Sequence, residues 1–203
     1  MQMMERLRDR RTWMAIGAGA VVIAALAVWA VGSYRRAQAR ETLNTFAPFQ
    51  SPPLEIQFPR VVLDSVESRR TLAAGVQNGV WTLHERGSKP PTVEVRLTDQ
   101  GQRWFSVVGT HVVATFKGGT REASEVFELT DTFPSRDIRY RYVWTALHPA
   151  TIILGQNLPT VGRQYEGEAV LFYKNSQWRL MQWDTPDFDQ AVERFQGLES
   201  GQN

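Results

Sequence analysis

The side chains able to do chemistry are few and scattered along this chain. His84, His111 and His148 stand alone, with no HExxH, no i,i+4 histidine pair and no carboxylate at ligand spacing. No G-x-S-x-G elbow and no Gly-rich phosphate loop occurs. Carboxylates remain: Glu166 and Glu168 share one face of a strand, and Asp184, Asp187 and Asp189 crowd the start of the last helix. Glycosidic chemistry would need two of them across a cleft with separated pKa values. Each set has a simpler use, cross-strand pairing with arginine for the glutamates and a favourable dipole end for the aspartates. No catalytic residue, cofactor or metal ligand is therefore assigned. Arg136, Arg139, Arg141 and Trp104 are the residues that suit contact with an anionic ligand or a partner, tryptophan and arginine being enriched where proteins bind. Arg139 and Arg141 have a competing use as partners of Glu122, Glu125 or Glu128 on a neighbouring strand.

The chain that must position these residues has 203 residues and no cysteine, which excludes a disulfide framework and thiolate chemistry. Apolar residues at 42% and charged residues at 22% describe a folded domain rather than a disordered one. The pI near 9.1 suggests nucleic acid, but the charge is uneven. Residues 1–60 hold eight of the 23 Lys+Arg and four of the 21 Asp+Glu, leaving fifteen bases against seventeen acids beyond them. A mildly acidic domain has no global electrostatic reason to hold a polyphosphate backbone, so nucleic acid is not an expected partner.

Residues 13–32, from Trp13 to Gly32, carry no charge and are bracketed by Arg10, Arg11, Arg35 and Arg36. Twenty helical residues span about 30 Å, the hydrocarbon thickness of a bilayer, so this stretch reads as a transmembrane helix and the membrane as its partner. A cleavable signal peptide with a cut at Ala37-Gln38-Ala39 is the competing reading, disfavoured by the length of the run and by the arginines before the cut. The short leading segment places residues 1–12 in the cytoplasm and the main domain in the periplasm of a bacterial inner membrane, as a single-pass protein. Gly17, Gly19, Ala20, Ala24 and Ala27 leave room for close helix approach and a homo-oligomer, although alanine-rich segments carry such pairs by chance.

Residues 33–59 read as a continuation of the helix followed by a stalk stiffened by Pro48, Pro52, Pro53 and Pro59. Residues 60–196 read as one α+β domain: a curved antiparallel sheet with short flanking helices. A helix is expected over 62–76, strands over 80–83 and 93–97, a brief helix over 99–105, and strands over 111–117 and 121–129 joined by a Gly118-Gly119 hairpin turn. Ile138, Tyr140, Tyr142 and Trp144 alternate onto one face of the next strand. A hairpin about Asn175-Ser176, a helix with Phe188, Val192 and Phe195 inward, and a mobile tail over 197–203 complete the pattern.

The run Val93-Glu94-Val95-Arg96-Leu97-Thr98-Asp99-Gln100-Gly101-Gln102-Arg103-Trp104-Phe105 resembles the "strand, Leu-Thr-x-x-Gly, aromatic" segment of an uncharacterised group of bacterial envelope lipoproteins. Phe116-Lys117-Gly118-Gly119, Glu125 to Thr130 and Ile138 to Tyr142 are similar to that group's succeeding strands, so the resemblance covers residues 62–147. The chain departs from the group in lacking the cysteine and in carrying a helical segment instead. The resemblance implies a location in the envelope and no particular chemistry. In overall plan the chain also looks like periplasmic scaffold subunits of secretion systems. The sequence thus describes a membrane-anchored binding or scaffold module with an envelope protein partner. A carboxylate hydrolase acting on an envelope polymer and a small-ligand-binding domain are the alternatives.

Overall fold

The computed structural model describes residues 2–185 and 188–201, and the side chains of all of these except 2–22, 157, 190 and 191. One helix, α1 (Gln2–Thr45), leads into a single turn, α2 (Ala47–Gln50). Then come β1 (Pro53–Pro59), β2 (Val61–Leu63), α3 (Val66–Gln77), β3 (Trp81–Arg86) and β4 (Thr92–Leu97). After a 3-10 turn at Gly101–Arg103 follow β5 (Ser106–Val108), β6 (His111–Lys117), β7 (Gly119–Thr132) and β8 (Ser135–Leu147). A 3-10 segment, Pro149–Asn157, precedes β9 (Gln164–Lys174), β10 (Gln177–Asp184) and α4 (Asp189–Gln196).

The expected single curved sheet with flanking helices is not what forms. The chain makes a mostly β domain of three antiparallel sheets, ordered β1-β6-β5, β2-β4-β3 and β10-β9-β8-β7. Two places account for the difference. Residues 53–59, expected as stalk, form β1, and Leu54, Ile56 and Phe58 are buried at every second position. Proline is tolerated there because Pro53 and Pro59 stand at the two ends of the strand. Gly118-Gly119 is not a hairpin turn either. β6 pairs with β1 and β7 with β8, so the chain changes sheet at this point. The Gly118 N–H reaches the Pro52 carbonyl at 2.9 Å, and Gly119 lies against the Ala146 carbonyl where a Cβ has no room.

The transmembrane helix expected over residues 13–32 is likewise corrected. Among the described residues, no helix is long and apolar enough to cross a membrane. The side chains of 13–22 lie outside the described residues. The helix does not stop at a stalk but runs on to Thr45 and packs into the domain through Ala39 and Leu43, both fully buried. The Ala37-Gln38-Ala39 segment is thus part of a packed surface, with Gln38 accepting from Arg136 at 2.9 Å.

The strand alternation of β8 holds: Ile138, Tyr140, Tyr142 and Trp144 are buried, with Phe49 of α2 edge-on to both tyrosines and Phe188 edge-on to Trp144. A second aromatic cluster joins Phe58, Trp81, Phe105 and Phe195 across β1, β3 and α4. Ser65 caps α3 by accepting from the Ser68 N–H at 3.0 Å. Asn175 and Ser176 both take positive φ, 53° and 62°, as a two-residue hairpin of the twist-matched kind requires. The tail expected to be mobile is held as far as it is described: Leu198 is buried and the Gly201 N–H bonds the Val61 carbonyl. Residues 202 and 203 lie outside the described residues.

Candidate functional site

The side chains proposed for contact fall in three different environments. On the outward face of the β7–β10 sheet, Arg139 stands between Glu128 at 3.1 Å and Glu168 at 3.4 Å. Two residues along β8, Arg141 stands between Glu125 at 2.9 Å and Glu166 at 3.3 Å. The register sets this up, since Arg139 lies opposite both Glu128 and Glu168, and Arg141 opposite Glu125 and Glu166. A bulge between Val126 and Glu128 turns Phe127 outward beneath the two guanidiniums, at 5.3 and 4.9 Å. The glutamates hold the Arg141 guanidinium above its usual pKa, with the hydrogen bond to Glu166 the largest cause. Both arginines are spent on carboxylates, and so are the two glutamates that glycosidic chemistry would have needed.

Arg136 points to the opposite face and is 5% exposed. Its guanidinium lies 3.9 Å from the Trp178 ring centroid, donates to Gln38 on α1 and pairs with Asp131 at 3.2 Å. It joins a helix to a sheet. Trp104 follows the Gly101–Arg103 turn and is half-buried against the core. Asp184 lies opposite Glu168, Asp189 is exposed in the first turn of α4, and Asp187 lies outside the described residues.

Each histidine has a local use. His148 stacks on Phe116 at 4.8 Å and its Nδ1 accepts from the Ala150 N–H, while His84 meets Thr82 and His111 meets Thr110. Among the described residues no three His, Asp or Glu side chains gather as a metal site.

Two features stand apart from the residues proposed for contact. The first is the part of α1 that leaves the domain. Ile23, Leu26, Val28, Trp29, Val31 and Tyr34 are exposed, Val28 by 74% and Trp29 by 71%. They point in several directions around the helix, so no single face covers them. A helix that is apolar all round needs burial on more than one side. The sequence signal for it is the uncharged run of residues 13–32.

The second feature is Glu94, at the centre of β4 and only 4% exposed. Three half-exposed guanidiniums converge on its carboxylate: Arg60 at 2.6 Å, Arg96 at 3.0 Å and Arg86 at 3.5 Å. They hold its pKa below the ordinary value of 4.5, chiefly through the hydrogen bond from Arg96 and against the opposing effect of burial. The sequence clue is Arg96 two positions along the same strand face. The other two arginines arrive from β3 and from the link between β1 and β2.

No protein-family model, no curated protein and no solved structure matches this chain.

Proposed function

We propose that this chain is a binding or scaffold module of the bacterial cell envelope whose projecting helix docks an apolar helix of another envelope protein. One observation carries the reading: residues 23–34 of α1 stand clear of the domain with large apolar side chains uncovered on several sides. Leaving one such side chain in water rather than burying it costs about 1.5–3 kcal/mol, so six of them favour association strongly. A helix is the occupant that suits a helix, because ridges of side chains on one fit the grooves of the other. The domain end of α1 is fixed by Arg136, Arg35 and Asn44, which gives the projecting part a rigid base. The envelope location rests on the resemblance of residues 62–147 and belongs to the proposal.

The test is purification of the full chain from its native envelope after mild cross-linking, compared with a Leu26→Glu/Trp29→Glu variant. A heteromeric complex is expected with the natural chain and not with the variant. A complex of the same size with both, or a species of twice the chain's mass, contradicts docking of a different protein on this helix.

A further inference from the structure

The outer surface of the β2-β4-β3 sheet carries more positive charge than its own structure uses. Three arginines surround one carboxylate, a local excess of two positive charges. Glu94 fixes where they stand. Three guanidiniums bring about fifteen N–H groups, and one carboxylate offers only about four acceptor sites. Arg86 meets the carboxylate only at 3.5 Å, and the Arg60 Nε is buried with no hydrogen-bond partner among the described residues.

Arg60 and Arg96 also border a cleft of about 550 Å³ whose lining includes Leu97, Phe105, Val107 and Gln102. The cleft lies between the end of β4, beyond its pairing with β2, and β5, an edge strand of its sheet. Val107, on its β5 side, is exposed. Ligand pockets of this size pair an apolar lining with a small number of placed polar groups. Here those groups are guanidiniums, which match phosphate and carboxylate oxygens with parallel N–H bonds.

We infer that Arg60, Arg86 and Arg96, with the cleft lined by Leu97, Phe105 and Val107, bind a phosphate monoester that carries an apolar group. Charge selects the phosphate: a monoester carries about −1.5 to −2 at neutral pH and cancels the excess of two, whereas a carboxylate would cancel half of it. The cleft selects the apolar substituent, which covers Val107 and leaves the phosphate at the arginines. Glu94 acts as a positioning residue, holding three like-charged side chains within reach of one anion. This site is separate from the projecting helix, and it stands or falls independently of the docking reading.

The test is calorimetric titration of the full chain with decyl phosphate below its micelle-forming concentration, with inorganic phosphate and decanol as separate arms. One saturable site is expected for decyl phosphate, at least tenfold tighter than for inorganic phosphate. Arg60→Lys keeps the charge and the pair with Glu94 but loses the planar fork, and it should weaken decyl phosphate binding about tenfold. Val107→Asp, on the surface, should weaken decyl phosphate and leave inorganic phosphate unchanged. A urea midpoint for each variant confirms that it is folded. Equal binding of decyl phosphate and decanol, or binding unchanged in both variants, overturns the site, because the bare helix would then account for the uptake. Equal binding of decyl and inorganic phosphate overturns the apolar half of the inference.

Discussion

The carboxamide of Asn44 meets the backbone of Ala123 twice: Nδ2 donates to the Ala123 carbonyl at 3.0 Å, and Oδ1 accepts from its N–H at 2.7 Å. Ala123 lies on β7, an edge strand of its sheet, so a helical side chain takes the place a further strand would occupy. Arg40 extends the cover by donating to the Ser124 carbonyl, and Arg35 closes it by pairing with Asp131. Asn44→Ala leaves a donor and an acceptor of the edge unpaired and should cost about 1–3 kcal/mol in urea denaturation. It should also raise aggregation, by freeing the edge. An unchanged midpoint would show that water replaces the carboxamide without loss.

Arg136 and its neighbours on β8 separate structural from surface charge. Arg136→Ala removes a buried cation from Trp178, Gln38 and Asp131 and should destabilise the protein by on the order of 3 kcal/mol. Arg139→Ala and Arg141→Ala remove exposed pairs and should leave the denaturation midpoint close to that of the natural chain. Equal losses for all three would mean that the outward ladder is not the solvated surface it resembles.

Gly75 in α3 faces the Trp81 indole, whose Nε1 donates to the Leu72 carbonyl at 3.0 Å. A Cβ at position 75 would overlap the ring. Helix propensity alone makes Gly75→Ala stabilising by about 1 kcal/mol. Overpacking of about 1–3 kcal/mol opposes that gain, so a net loss is expected, read from thermal unfolding. A stabilised variant would show that Trp81 moves freely.

The pH dependence of stability follows from Glu94. Its folded-state pKa lies below the ordinary 4.5, so between the two values the unfolded chain binds more protons. This contribution is complete above the unfolded value and is lost as pH falls through the folded one. Denaturation midpoints should drop below about pH 4.5, and more steeply than in Glu94→Gln. Identical acid profiles would show that the arginines do not hold this carboxylate.

Much of the local structure was legible. Alternation placed Ile138, Tyr140, Tyr142 and Trp144 inward and Arg139 and Arg141 outward, because a half-buried antiparallel strand repeats every two residues. Sheet partnership was not legible. Gly118-Gly119 has the composition of a hairpin turn, yet whether flanking strands pair depends on who else is available, and β1 was available to β6. β1 itself was hidden by its two terminal prolines, although Leu54, Ile56 and Phe58 already alternate between them. The cluster around Glu94 was the hardest to foresee. Its arginines lie at 60, 86 and 96, and only the pairing of β4 with β2 and β3 brings them together.

The central claim is that residues 23–34 are a docking surface, and a photoreactive phenylalanine analogue placed at Trp29 of the full chain in living cells tests it most directly. Exposed Val66, on α3, serves as the control position. A discrete adduct heavier than the chain plus a second copy of itself is not required, but one distinct from a homodimer, present at position 29 and absent at position 66, is the predicted result. No adduct at position 29, the same adducts at both positions, or a homodimer alone would contradict the account.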